Sequence, residues 1–243
     1  MALRFYFSLR SPYSWLAHLD LMAHHPRLAA DLEWVPYWEP DDRTERLLAE
    51  AGRQFVYTRM SREKHFYILG DVRRLAAARG LTVSWPVDRD PVWEVPHLAY
   101  LAAERQGAGP AFLDLAYRAR WHDGLDICAR PTMAKIAGEL GLDAASLGDA
   151  ADDPELRARG AGALLSAVEE GVFGVPFFVN GREKYWGVDR LSAFVASLGP
   201  SDGPEGGPAR PGAVRPPTAA EPPAGALGTT TAGGDLGHGG GCG

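Results

Sequence analysis

The chain has 243 residues, 46% of them hydrophobic and 23% charged, with a formal net charge of -6 at pH 7. That composition suits one or two globular domains. It offers no basic excess to neutralise phosphates or to hold an acidic membrane surface, so nucleic-acid and membrane partners are not expected. Two cysteines, Cys128 and Cys242, are too few for a disulfide framework or a thiolate zinc site, which points to a reducing compartment. No apolar run approaches the ~20 residues of a membrane span. The first residues do not read as a secretory leader, so a soluble, cytoplasmic protein is expected.

The aromatic run Leu3-Arg4-Phe5-Tyr6-Phe7 reads as a buried central strand. Ser14 can cap a helix whose Trp15, Leu16, Leu19 and Met22 share one face and which Pro26 ends. A second strand over residues 32–38 completes a β-α-β opening, expected to be parallel and right-handed. From about 42 to 171 the pattern is helical, over residues 61–79, 95–106, 111–122, 131–140 and 154–170, and is taken as a helical insertion. Val175-Pro176-Phe177-Phe178-Val179, Asn180-Gly181 and Glu183-Lys184-Tyr185-Trp186 spell a hairpin turning at Asn-Gly, because both turn positions need positive φ. A helix over 188–198 closes the body. This order is α/β and thioredoxin-like (β-α-β, β-hairpin, α) with a large helical insertion, occupying residues 1–199. Residues 200–243 hold 13 Gly and 8 Pro and no aromatic residue, and read as a disordered tail.

Three motifs follow one another in order: Phe7-Ser8-Leu9-Arg10-Ser11-Pro12-Tyr13-Ser14-Trp15-Leu16-Ala17, Gly171-Val172-Phe173-Gly174-Val175-Pro176-Phe177-Phe178, and Trp186-Gly187-Val188-Asp189-Arg190-Leu191. They resemble the 2-hydroxychromene-2-carboxylate isomerase and kappa-class glutathione transferase family, within the DsbA-like thioredoxin superfamily, over roughly residues 3–198. The stretch from Ser61 to Tyr67, with Asp71 and Arg74, resembles the family's first insertion helix. The resemblance implies that Ser11 holds the sulfur of a bound low-molecular-weight thiol such as glutathione. It implies a cis Val175-Pro176 bond whose Val175 backbone faces the cleft, and Asp189 as receptor for the α-amino group of a γ-glutamyl moiety. Taken alone, the residues also permit a trans proline at the start of a strand, and an Asp189 that only stabilises a helix N-terminus. The chain departs from the family at Val188, where many relatives carry a small hydroxyl residue. It departs again at Phe55-Val56-Tyr57-Thr58-Arg59, which replaces an Asn-x-Pro-Pro segment.

Redox thioredoxin folds carry Cys-x-x-Cys between the first strand and first helix, where the helix N-terminus favours a thiolate. Ser11-Pro12-Tyr13-Ser14 occupies that turn here, so dithiol-disulfide exchange there is excluded. A hydroxyl beside unpaired backbone N–H groups can instead hold a thiolate or another anion, or can merely cap the helix; Ser14 is read as the cap. Tyr13 and Trp38, at the cleft end of the sheet, are candidates to line a pocket for a flat conjugated substrate. Lys64 is placed either against a ligand carboxylate or, as lysines more often are, on a solvated helix face. Cys128 reads chiefly as a buried inert thiol, with a cleft-facing nucleophile as the alternative. The seven histidines show no ligand spacing and no glycine-rich phosphate loop is present, so neither a metal nor a nucleotide cofactor is expected.

The function expected from this reading is cis-trans isomerisation of a conjugated C=C bond in a small unsaturated or aromatic acid, with a thiol such as glutathione as the one cofactor implied. Three alternatives stand beside it: an isomerase of a carrier-protein- or CoA-bound acyl thioester, a kappa-like glutathione transferase, and a non-catalytic peptide-binding module. A homodimer is compatible with all of them.

Overall fold

A computed structural model describes residues 3–55 and 60–199. Its four-stranded sheet has the order β2-β1-β3-β4. Strand β1 (Leu3–Phe7) runs parallel to β2 (Glu33–Pro36) and antiparallel to β3 (Phe177–Asn180), which pairs antiparallel with β4 (Glu183–Trp186). Helices α1 (Pro12–His24) and α2 (Pro26–Asp31) join the first two strands. There follow α3 (Asp42–Glu50), α4 (Arg62–Ala77), α5 (Glu94–Arg105), α6 (Gly109–Tyr117), a π-helical turn at Arg118–His122, α7 (Arg130–Glu139), α8 (Ala144–Gly148) and α9 (Pro154–Glu170). A 3-10 turn at Val188–Arg190 leads into α10 (Leu191–Ser197) after the hairpin. The fold is α/β and thioredoxin-like.

Strand alternation divides the core in two. Phe5 sits directly opposite Phe178, and their rings stack at 4.7 Å. Phe178 stacks in turn on Phe194 of α10 at 5.0 Å, while Trp34 meets Phe5 edge-on at 4.8 Å. Cross-strand aromatic pairs of this kind contribute about 0.2–1 kcal/mol each. Tyr6 points to the other face, into a smaller cluster with Val35, Val175, Phe177, Val179 and Ala167 of α9. Its hydroxyl bonds Ser166 at 3.0 Å, and Arg4 pairs with Glu170 at 3.0 Å. Helix α9 is therefore a layer of the thioredoxin body, and the inserted helices end before Pro154 rather than at 171. Gly160 permits this packing: a Cβ there would meet Leu98 Cδ2 at 2.6 Å and Trp38 Cη2 at 3.0 Å.

Two local expectations change. Ser11, not Ser14, caps α1: its Oγ accepts from Ser14 N at 3.2 Å, while Ser14 Oγ accepts from Ser8 N at 3.2 Å. The helix starts earlier than its apolar stripe suggests because Pro12 is pre-set for the first helical position. The hairpin turn is Gly181-Arg182, since Asn180 still pairs with Glu183; Gly181 supplies the positive φ of 62°. The tail from 200 and the segment Val56–Arg59 lie outside the described residues.

Candidate active site

The loop from Ser8 to Ser11 joins the end of β1 to the N-terminus of α1. Ser11 is 1% exposed, and besides capping α1 its hydroxyl donates to the Val175 carbonyl at 3.4 Å. The Val175–Pro176 peptide is cis. No acidic residue occupies the first turn of α1, so no carboxylate of its own offsets the positive end of this 13-residue helix.

Side chains from the inserted helices fix the loop. His97 Nε2 accepts the Leu9 N–H at 3.1 Å and lies 3.3 Å from Ser8 Oγ, while Nδ1 lies 2.7 Å from the Trp93 carbonyl. Nδ1 must therefore carry the proton. Burial, reinforced by the charges of Arg120 and Arg10, pushes the His97 pKa down to about 3, against the pull of the Trp93 hydrogen bond. His97 is thus a neutral acceptor that positions the loop. Tyr117 Oη adds a bond to the Ser8 carbonyl at 3.2 Å. Sequence reasoning missed His97 because it sought metal-ligand spacing; the available signal was a lone histidine inside the apolar run of α5.

Beside this loop lies a cavity of about 90 Å³. Arg10 and Pro12 form one wall, His65, Ile68 and Leu69 of α4 a second, and Trp85, Asp88, Arg120 and Trp121 a third. Arg120 is 2% exposed and holds Asp88 through two bonds of 2.9 and 2.8 Å. Its guanidinium carbon lies 5.0 Å from the Trp93 ring centroid and 4.8 Å from that of Trp121. Arg10 also lies 5.0 Å from Trp93, and pairs with Glu39 at 3.1 Å. Arg120 and Trp121 fall in the π-helical turn, a local widening that recurs at functional sites. Neither arginine stood out in the sequence, since nothing local joins position 10 to position 120.

The residues singled out from the sequence separate into two groups. Ser11, Val175 and Pro176 come together, with Tyr13 nearby on α1; its hydroxyl bonds Asp71 of α4 at 2.8 Å. Trp38 is a correction: it is 2% exposed, donates to Glu94 Oε1 at 3.1 Å and stacks on His97 at 5.0 Å. The end of β2 is roofed by α5 and α9, so the indole belongs to the core and supports His97 from behind. Lys64 is exposed at the start of α4, and it is its neighbour His65 that lines the cavity. Asp189 lies in solvent, paired with Arg190 at 3.3 Å.

Cys128 is half-buried, and burial together with Asp126 pushes its thiol pKa well up, outweighing Arg120. A thiol held protonated is a poor nucleophile, which favours the reading of Cys128 as an inert thiol. Among the described residues no group of three or more His, Cys, Asp or Glu could hold a metal ion. None of their helices is long and apolar enough to cross a membrane.

The DsbA-like thioredoxin domain pattern matches residues 2–199. The 2-hydroxychromene-2-carboxylate isomerase of Sphingobium xenophagum is 30% identical over 195 residues, covering 80% of this chain and 96% of that protein. The enzyme of the same name from Pseudomonas putida is 27% identical over 199 residues, covering 82% and 95%. Among solved structures, a 2-hydroxychromene-2-carboxylate isomerase superposes with a TM-score of 0.64 at 24% identity, over 82% of this chain and 95% of that one. The cytosolic disulfide reductase DsbM of Pseudomonas aeruginosa has the same fold, with a TM-score of 0.56 at 20% identity, over 82% and 98%.

Proposed function

The chain belongs to the DsbA-like thioredoxin family, within its 2-hydroxychromene-2-carboxylate isomerase branch, and from that premise we propose that it interconverts cis and trans forms of a conjugated C=C bond in a small unsaturated or aromatic acid. One observation carries this reading beyond kinship. The cavity adjoins the N-terminus of a helix without acidic residues in its first turn, and it is walled by indoles and two buried guanidiniums.

Rotation about a conjugated double bond requires that its π electrons move toward the carbonyl oxygen, so that the bond becomes single for the moment of turning. The barrier is lowered by whatever stabilises that transient negative charge. The positive end of α1 and Arg10 supply this stabilisation without reorganisation, because His97 and Tyr117 hold the loop in place. Trp85 and Trp121 offer flat apolar surface to the conjugated system.

A small thiol, glutathione among them, fits the polar side of this arrangement. The bond from Ser11 Oγ to Val175 O is long, at 3.4 Å, and a charge-assisted bond to sulfur would replace it. Ser11 and the Val175 backbone would hold the sulfur, and we assign Lys64 and Asp189, both exposed, to the charged ends of such a thiol. When bound, the thiol supplies a nucleophile that adds reversibly to the alkene.

Purified protein is to be incubated with each isomer of 2-hydroxychromene-2-carboxylate and its open-chain form, with and without glutathione, and the mixture followed by chromatography. Approach to one equilibrium mixture from either side, accelerated by the protein, is expected. Ser11→Ala should slow it by roughly 10²-fold, the scale of losing one preorganised donor. No acceleration over buffer with any thiol would overturn the proposal.

A further inference from the structure

The charged side chains that line the cavity are committed to partners. Arg10 pairs with Glu39 at 3.1 Å, and both oxygens of Asp88 accept from Arg120, at 2.9 and 2.8 Å. An arginine does not give up its proton in a protein, and the indoles of Trp85 and Trp121 can only donate. Pro12, Ile68 and Leu69 carry no exchangeable side-chain proton. His65 is the one described residue of the wall whose side chain both takes up and gives back a proton near neutral pH.

Its setting is the reverse of that of His97. His97 is fully buried, and its two ring nitrogens are engaged by the Leu9 N–H and the Trp93 carbonyl, so it stays in one protonation state. His65 is exposed on the first turns of α4, and among the described residues no hydrogen bond or ion pair ties its ring. The ring meets Phe66 edge-on, with centroids 6.1 Å apart, and the Arg62 guanidinium one turn earlier lies over Phe66 at 5.3 Å. Both imidazole nitrogens are therefore available to water and to a molecule in the cavity.

The substrate class proposed above needs such a group. In a 2-hydroxychromene-2-carboxylate one carbon bears both the hydroxyl and the ring oxygen, so the molecule is a cyclic hemiketal whose C=C bond is locked cis. That bond cannot turn until the ring opens, and opening moves one proton from the hydroxyl to the ring oxygen. We propose that His65 is the catalytic residue that carries this proton. A neutral ring nitrogen removes the hydroxyl proton; the bond from the hemiketal carbon to the ring oxygen breaks as the C=O bond forms, and its electron pair stays on the phenolic oxygen. The imidazolium then returns the proton to that oxygen. The products are the open-chain keto acid and neutral His65, with no co-reactant consumed. One imidazole serves both oxygens because they sit on the same carbon. This rests on the isomerase reading above and adds to it the step that precedes rotation.

The test follows two acids with the full chain and glutathione at fixed concentration: 2-hydroxychromene-2-carboxylate, and cis-benzylidenepyruvate, an open-chain acid without the ring hydroxyl and so with no ring to open. Rates are taken by absorbance above the buffer background. His65→Gln should slow the cyclic acid by about 10²-fold, the lower end of general acid–base contributions, and the open-chain acid at least about tenfold less. Because His65 is exposed, the variant should melt with wild type. With His65→Ala, imidazole in the buffer should restore part of the lost rate on the cyclic acid. The wild-type rate on that acid should rise with pH between about 5 and 8, and His65→Gln should lose this limb. The charged groups around it, Arg10, Arg120 and Asp88 across the cavity and Glu63 and Lys64 beside it on α4, are of types whose ordinary titration lies outside that window. Equal losses on the two acids, a His65→Gln variant as fast as wild type on the cyclic acid, a retained limb, or no rescue by imidazole would overturn this role of His65. A wild type that turns the open-chain acid but leaves the cyclic acid at its buffer rate removes His65 and keeps the isomerase. One that accelerates neither removes the isomerase itself.

Discussion

Replacing Ser11 by alanine separates two jobs that the structure gives to one hydroxyl. The first is capping: Ser11 Oγ accepts the Ser14 N–H at 3.2 Å, and losing such a cap costs about 1 kcal/mol. The second is the buried bond to Val175 O, long at 3.4 Å, whose loss adds on the order of 0.5–1 kcal/mol. At about 2–4 °C for each kcal/mol in a body of this size, Ser11→Ala should melt roughly 3–8 °C below wild type. Ser11→Gly removes the same hydroxyl, but glycine at an N-cap leaves the first N–H groups open to water and loses only a few tenths of a kcal/mol of capping. It should therefore fall between alanine and wild type. Melting followed by tryptophan fluorescence measures both, and isomerase assays run well below the lower midpoint report catalysis apart from stability. An alanine variant that melts with wild type, or a glycine variant less stable than alanine, would refute the capping account and with it the placement of Ser11.

Acid should loosen the fold through His97. Its folded pKa of about 3 lies below its ordinary 6.5, so the unfolded chain takes up a proton that the folded chain refuses, and stability falls as pH drops below 6.5. The loss approaches about 1.4 kcal/mol per pH unit, and urea midpoints between pH 6.5 and 5 should show it in wild type but not in His97→Gln; parallel profiles would contradict a buried neutral imidazole. Gly160→Ala drives a methyl group to within 2.6 Å of Leu98 Cδ2, and should lower the unfolding free energy by about 1–3 kcal/mol in urea titrations. An unchanged midpoint would mean that α9 stands farther from α5 than described. On a Cys242→Ser background, iodoacetamide at pH 8 should label Cys128 far more slowly in the folded than in the urea-unfolded chain, and Cys128→Ala should retain isomerase activity. Rapid labelling of the folded protein, or an inactive alanine variant, would favour Cys128 as a nucleophile instead.

Much of this protein is set by local pattern. The aromatic run of β1 alternates so that Phe5 and Phe7 enter one core and Tyr6 the other, and that alternation can be read directly from five letters. Ser11 and Pro176 could likewise be picked out together, because each sits in a short motif tied to a strand end, and the β-α-β and hairpin order brings those ends side by side. Trp38 shows the limit of that logic. Its position at the end of β2 suggests a cleft, but whether a strand end is open depends on what covers it, and here α5 and α9 do.

The same limit hid Arg10, Arg120 and His97. A cation next to an indole in space need not be near it in the chain, and the burial that pushes His97 down to about 3 is made by helices folding over it. Covalent neighbours and periodicity determine which elements form and which face of each is apolar. The charge-bearing half of the cavity exists only once the inserted helices pack against the β1–α1 loop, because desolvation and ion pairing are properties of the assembled interior and not of any segment.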